Sequence, residues 1–551
     1  MRNGKASDWW RGAVIYQIYP RSFMDSNGDG IGDLPGITSR LEHVTSLGVD
    51  AIWVSPFFRS PMKDFGYDVA DYRQVDPMFG TLEDFDALLA RAHSLGLKVM
   101  IDQVLSHTSD QHAWFAASRA SREGPHADWY VWADPRPDGT PPNNWLSVFG
   151  GSAWQWDSRR RQYYLHSFLV AQPDLNFHCP AVQDALLDEV RFWCERGVDG
   201  FRFDACNHQF HDAGLRDNPP AAASAIGEVS TVRADNPYAM QRHLYDKSQP
   251  ENLAFLERLR ALLDSYGAVG LGEVGDENAP PVMAQYTERG RRLHLAYSFS
   301  LLTTEHSAGH LRRQVQALDD ALQRTDGWGC WAVSNHDVPR VSSRWNGNGQ
   351  ADVRRDKLWL ALLLSLRGSA CIYQGEELGL PEAEVPFERL QDPYGRAFWP
   401  EFKGRDGART PMPWQAEAGN GGFNDGQIEP WLPLYEPHLP LAVDRQSQDP
   451  QSMLSFSREL LAWRRRQPLL KSGHLRFLDA PEPFLCLERY DGDEVLQAVF
   501  NLSDQRATLR LDKMLVPLAG SPFLGARMDG DLALELPPYG VYMGVPIDAA
   551  A

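Results

Sequence analysis

V-D-G-F-R-F-D-A, residues 198–205, is a short apolar run that ends on a carboxylate. Phe201 and Phe203 alternate with Arg202 and Asp204, so in an extended segment the two charged side chains share one face. Before it lies an amphipathic stretch, V-Q-D-A-L-L-D-E-V-R-F-W-C-E-R-G (182–197), whose terminal glycine suits a helix stop. Runs of the same kind recur at V-I-Y-Q-I-Y-P (14–20), D-A-I-W-V-S-P (50–56), K-V-M-I-D-Q-V-L (98–105), A-V-G-L-G-E-V (268–274), L-A-Y-S-F (295–299), W-A-V-S-N-H-D (331–337) and A-C-I-Y-Q-G-E-E (370–377). Helical patterns such as L-E-D-F-D-A-L-L-A-R-A-H-S-L-G (82–96) fill the gaps. Strand and helix alternating eight times predict an α/β fold, a (β/α)8 barrel.

Two intervals are too long for simple connections. A Trp-, Pro- and Gly-rich stretch after the third run predicts an inserted domain over 107–177, and residues 378–440 read as an extra loop subdomain after the eighth. The barrel then takes 1–106 and 178–470. Beyond it, H-L-R-F-L (474–478), P-F-L-C-L-E-R-Y (483–490), E-V-L-Q-A-V-F-N-L (494–502) and A-T-L-R-L (507–511) predict an all-β sandwich over 471–551.

With 551 residues, 43% of them hydrophobic and 11% aromatic, the chain can build a large ordered core. A net charge of −19 repels phosphate backbones and anionic membranes, which argues against nucleic acid or a membrane as partner. M-R-N-G-K-A-S-D-W-W has no apolar core of signal-peptide length, and L-W-L-A-L-L-L-S-L (358–366) is too short to cross a bilayer. Six scattered cysteines read as free thiols, and the expected location is the cytoplasm. Monomer and homodimer both fit.

Polar residues at strand C-termini of a barrel are the candidates for chemistry. Asp204 ends the fourth run, Glu273 the fifth and Asp337 the seventh; Asp102 and His107 follow the third, and His336 adjoins Asp337. Neighbouring strands lie about 4.8 Å apart, so Asp204 and Glu273 can face each other at roughly the 5–5.5 Å of a retaining glycosidase pair. Arg202 would keep Asp204 ionised, while Glu273 must start protonated. Any one of these acids reads as well as a rim salt-bridge residue; three with an arginine and two histidines do not.

D-S-N-G-D-G-I-G-D (25–33) places oxygens at Asp25, Asn27, Asp29 and Asp33, with the Ile31 carbonyl between. An EF-hand would need a Glu at the twelfth position, which is Gly36. A one-ion structural site and a metal-free Gly/Asp turn remain equal readings on pattern alone.

W-W-R-G-A-V-I-Y-Q-I-Y-P-R-S-F (9–23), D-Q-V-L-S-H (102–107), Q-P-D-L-N (172–176), G-F-R-F-D (200–204), G-E-V (272–274) and S-N-H-D (334–337) occur in the order of one family. Through them the chain resembles an α-amylase superfamily glycoside hydrolase of family thirteen, in the oligo-1,6-glucosidase and α-glucosidase branch. The resemblance runs from residue 9 into the C-terminal domain. It implies Asp204 as nucleophile, Glu273 as general acid/base and Asp337 as the group that grips sugar hydroxyls at the transition state. It implies His107, His336 and Arg202 as hydrogen-bonding partners of the sugar and nucleophile. Asp64, in D-F-G-Y-D (64–68), would pair with Arg405, or second with Arg409, of G-R-D-G-A-R-T-P-M-P-W (404–414), to hold a terminal glucose. Tyr67 would stack on the ring, with Phe149 and Phe168 lining the pocket, although each aromatic reads nearly as well as ordinary core. The acidic loop then matches a site for one structural Ca2+ or Mg2+, outside the chemistry; no organic cofactor is expected.

Two departures bear on specificity. Ser106 stands where the family's usual Asn helps bind a second calcium, so that second site is not expected. Ala205 follows the nucleophile, where Val accompanies α-1,6 cleavage and Ala or Thr α-1,4; Q-P-D-L-N points instead to the α-1,6 group. The side chain beside the nucleophile shapes the leaving-group space directly, so maltose and short malto-oligosaccharides are the favoured substrates, with sucrose a further candidate. The expected activity is that of a retaining exo-acting α-glucosidase, with sugar or alcohol acceptors as an alternative to water. The rivals are an α-glucosyltransferase or sucrose isomerase with the same site, although P-F-E-R-L-Q-D-P (386–393) matches the isomerase signature only loosely, and a non-catalytic barrel subunit, which would lack the carboxylates.

Overall fold

The computed structural model describes residues 8–222, 236–346 and 352–547. Eight parallel strands close a barrel in chain order. They are β1 Val14–Ile18, β2 Ala51–Val54, β3 Lys98–Val104, β4 Gly200–Asp204, β5 Val269–Glu273, β6 Leu295–Tyr297, β7 Gly329–Ala332 and β8 Ser369–Tyr373. β1, β4 and β8 are buried at every position, as strands covered on both faces must be.

Inside the barrel, Ile15, Trp53, Met100, Leu271, Leu295, Tyr297, Cys330 and Cys371 form one apolar cluster. β4 adds nothing to it. Phe201 and Phe203 face the outer core, which leaves Gly200, Arg202 and Asp204 for the inner face. A Cβ on Gly200 would lie 3.1 Å from Met100 Cγ, so the glycine makes room for the methionine beneath the charged layer.

The outer helices follow their sequence signals. Leu82–Ser94 starts with a capping box between Thr81 and Asp84 and buries Phe85, Leu88, Leu89 and Ala92. Pro180–Arg196 buries Val182, Leu186, Leu187, Val190 and Trp193, then stops at Gly197 in the left-handed region (φ 102). Each large apolar side chain so covered contributes about 1.5–3 kcal/mol. All six cysteines are free.

Two expectations need correction. β7 ends at Ala332, so Asp337 lies in a turn beyond the strand and does not end it. Asn335 Oδ1 accepts from the Asp337 amide and Ser334 Oγ from the Val341 amide, and these local bonds draw the backbone out of the ladder. Asp102 lies within β3 rather than after it.

After β3 the chain forms a helix, Ala113–Ala120, and a three-stranded antiparallel sheet of Trp132–Ala133, Gln162–Leu165 and Trp154–Asp157. No strand forms between β8 and His474 among the described residues; short helical turns lead to the helix Met453–Arg464. The C-terminal sheets have five and three strands and pack over Phe484, Cys486, Val499, Leu509, Leu534 and Leu536. Among the described residues no helix is long and apolar enough to cross a membrane.

Candidate active site

At the C-terminal rim one guanidinium organises three acids. Arg202 is fully buried; its Nη1 donates to Asp102 Oδ1 at 2.9 Å and to Asp204 Oδ1 at 2.5 Å, and its Nη2 donates to Glu273. The β4–β5 register pairs Phe203 with Gly272, so Asp204 and Glu273 are the next neighbours along adjacent strands. One guanidinium therefore bridges the carboxyl groups at the ends of two neighbouring strands.

Burial raises the Glu273 pKa well above the usual carboxylate value; Arg202 opposes this, and the charges of Asp204 and Asp337 reinforce it. Its Oε2 accepts from the Ala205 amide at 2.8 Å, which fixes the carboxyl's orientation. Burial likewise lifts Asp102 to about 7 against the pull of Arg202.

A second layer holds Asp337. His336 Nδ1 meets Gln17 Nε2 at 2.7 Å, and its Nε2 meets the Tyr67 hydroxyl at 2.7 Å; that hydroxyl donates to Asp102 Oδ2 at 3.1 Å. Burial pushes His336 down to about 3, so it is a neutral hydrogen-bonding group near neutral pH. Burial also opposes ionisation of Asp337, but His336, Arg405 and Arg409 outweigh it and hold the acid well below the usual range. With His336 neutral, the fixed charges at work are the two arginines. Arg409 Nη2 lies 2.9 Å and Arg405 Nη1 3.1 Å from Asp337 Oδ1.

The remaining residues close the cavity. Arg405 Nη2 donates to Asp64 Oδ1 at 2.9 Å, so Arg405, not Arg409, meets Asp64. Tyr67, His107, Phe149, Phe168, Asp204, Glu273 and Asp337 line the same cavity. His107 is fixed by Ser106 Oγ at 3.0 Å and the Tyr67 carbonyl at 3.1 Å, and burial lowers its pKa. Phe149 lies under the Arg405 guanidinium at 5.3 Å.

A family model of the α-amylase catalytic domain matches residues 17–473. A probable α-glucosidase of Rhizobium meliloti (strain 1021) is 55% identical over 97% of this chain and 96% of its own. The chain belongs to the α-amylase family. It lies in the α-glucosidase and oligo-1,6-glucosidase branch and is a glycoside hydrolase. An oligo-1,6-glucosidase of Heyndrickxia coagulans is 36% identical over 90% of this chain and 93% of its own. The crystal structure of the α-glucosyl transfer enzyme XgtA superposes with a TM-score of 0.94, 57% identity and coverage of 98% of this chain and 99% of that one.

Several residues of this α-amylase-family site were not singled out in the sequence. Gln172 donates to Asp64 at 3.2 Å and meets His107 Nε2 at 3.2 Å; it sits in Q-P-D-L-N, where only a linkage cue was read. His208, Tyr238, Lys247, Phe299 and Tyr394 also line the cavity. They come from three different loops with no shared spacing. Asp392, wholly buried, grips Arg405 from behind.

The acidic loop folds as a chain of side-chain turns. Asp25 accepts from the amides of Asn27, Gly28 and Gly30, Asn27 from Asp29, and Asp29 from Ile31. Asp33 caps the helix Leu34–Leu47 through the Gly36 amide. Asp25 and Asp33 are buried, and burial first, then the charge of Asp25, raises the Asp33 pKa. Among the described residues no three His, Cys, Asp or Glu gather closely enough to hold an ion by themselves. A set completed by Asn27 and the Ile31 carbonyl would still be all oxygen, with repelling carboxylates that a hard divalent cation relieves, and so fits such an ion.

Proposed function

We propose that this enzyme is a retaining, exo-acting α-glucosidase of small oligosaccharides. The observation that carries the reading is the single guanidinium of Arg202 bound to both Asp204 and Glu273 in a cavity closed by Asp64 and Arg405. Asp204 attacks the anomeric carbon of a terminal α-glucosyl unit as the glycosidic C–O bond breaks, and Glu273 gives its proton to the leaving oxygen. Glu273, now ionised, takes a proton from water, whose oxygen displaces Asp204 and restores the α configuration. Asp337, held ionised by Arg405 and Arg409, stabilises positive charge developing at the anomeric centre and accepts from sugar hydroxyls. Asp64 and Arg405 bind the terminal glucose, with His107, Tyr67, Phe149 and Phe168 around it and His336 behind Tyr67.

Ala205 leaves room beside the nucleophile and supports α-1,4 over α-1,6 linkages. Asp25, Asn27, Asp29, Asp33 and the Ile31 carbonyl would hold one structural divalent cation, which would brace the loop. The similarity to an α-glucosyl transfer enzyme favours a second outcome at the same intermediate, in which an acceptor hydroxyl replaces water.

Time-resolved proton NMR with maltose, isomaltose and sucrose tests the reading. Early α-glucose from maltose, with isomaltose slower, supports it. New glucosides ahead of free glucose would make transfer the main reaction, and first-formed β-glucose would overturn retention.

A further inference from the structure

Arg405 carries more carboxylates than a substrate clamp needs. Asp64 and Asp337 meet its two terminal nitrogens from the cavity side. From the opposite side Asp392 takes three bonds: its Oδ2 accepts from the Arg405 amide at 2.8 Å and from Nε at 3.1 Å, and its Oδ1 from Nη2 at 2.9 Å. Asp392 has no exposed surface, and this grip fixes both backbone and guanidinium of Arg405.

The surrounding chain is built around this contact. Asp392 caps the short helix Pro393–Ala397 through the Tyr394 amide, and Tyr394 lines the cavity. The strands of loop that bear Asp392 and Arg405 cross at two glycines: a Cβ on Gly395 would fall 2.6 Å from Gly404 Cα, and one on Gly404 2.9 Å from Asp392 Oδ2. Asp406 Oδ2 accepts from the amides of Gln391 and Asp392 and closes the clasp. Arg405 is therefore held by a buried acid that cannot itself reach the sugar.

We infer that Asp392 is a positioning residue: it holds Arg405 where the guanidinium meets Asp64 and Asp337 and faces the terminal glucose. The inference rests on the reading of Asp64 and Arg405 as the glucose clamp. Without Asp392, two carboxylates would remain near Arg405. Those are Asp64 and Asp337, both lining the cavity, so the guanidinium would lose its carboxylate anchor outside the cavity.

The test is a double-mutant cycle on the full chain with p-nitrophenyl α-glucoside. Asp392→Asn and Asp392→Ser both retain an acceptor for the Tyr394 amide, and melting temperature identifies the better-folded variant. Each should lower kcat/KM by about tenfold or more when Arg405 is present, chiefly through KM. In an Arg405→Ala background the same substitution should cost less than about twofold, because the group it positions is gone. Equal losses in both backgrounds, or none in either, would overturn the inference while the glucosidase reading stands. A wild-type protein inert to the glucoside would overturn that reading, and the inference with it.

Discussion

Glu273 stands beside Asp204, and the proposed first step requires Glu273 to carry a proton. A Glu273 pKa raised by burial means the acid stays protonated, and the first step stays competent, to a pH above the ordinary carboxylate range. kcat/KM for maltose should therefore fall on its alkaline side through the Glu273 ionisation. Glu273→Gln should abolish that limb and lose about 10²–10⁴-fold for maltose. α-Glucosyl fluoride, whose leaving group needs no proton, should lose far less; equal losses for both substrates would remove Glu273 from the role of acid. Ala205 carries a second residue-level consequence. It sits in the left-handed region at φ 40, a conformation costly for β-branched side chains. Ala205→Val should lower stability by about 1–3 kcal/mol while raising the isomaltose-to-maltose rate ratio. An unchanged ratio would show that residue 205 does not set linkage preference. The pairing of Asp64 with Arg405 was legible as a motif. Asp392 was not, because one Asp before a Pro in a loop reads only as a turn or helix cap.

At the scale of elements, strands were the most legible part. Their apolar runs are bounded by glycine and polar residues, and β4 and β5 end on the carboxylates the sequence places there. β7 was misread in extent because V-S-N-H-D continues the alternation, although Asn335 and Ser334 spend their side chains on local backbone amides. The loop around Asp25 has its own test. An ion there would bind the folded loop and not the unfolded chain, so it would act on stability by mass action. Treatment with a chelator should lower the melting temperature by several degrees and leave the initial rate at a temperature well below melting within about twofold. An immediate loss of rate without loss of stability would place a metal in the chemistry, and no change in either would favour the metal-free turn.

Across the whole molecule, the barrel was legible because eight repeats of one pattern admit few architectures. The loop between β8 and the C-terminal sheets was not, since its apolar residues, such as Val385, Leu390 and Leu432, follow no period and meet only through tertiary packing. The interior also shapes the response to pH. Burial pushes His208, His211, His336 and His438 down to about 3. Their contribution is complete above their ordinary value and is lost as pH falls below it. Burial raises Asp174, Asp356 and Glu382 to about 7 and Glu376 to about 8. Theirs is present at low pH and is lost as pH rises toward those values. Above about pH 6.5 these four histidines are neutral in both states, while these carboxyls still hold protons only in the folded state, so their contribution should lower melting temperature between about pH 6.5 and 8.5; a steady rise would contradict the burial assigned to these acids.

The central claim is that Asp204 forms the covalent glucosyl-enzyme. The most direct measurement is trapping with 5-fluoro-α-glucosyl fluoride, followed by peptide mass mapping. One sugar per chain should appear on the peptide containing G-F-R-F-D, with the adduct on Asp204. An adduct on another residue, or turnover to β-product with no adduct at all, would contradict it.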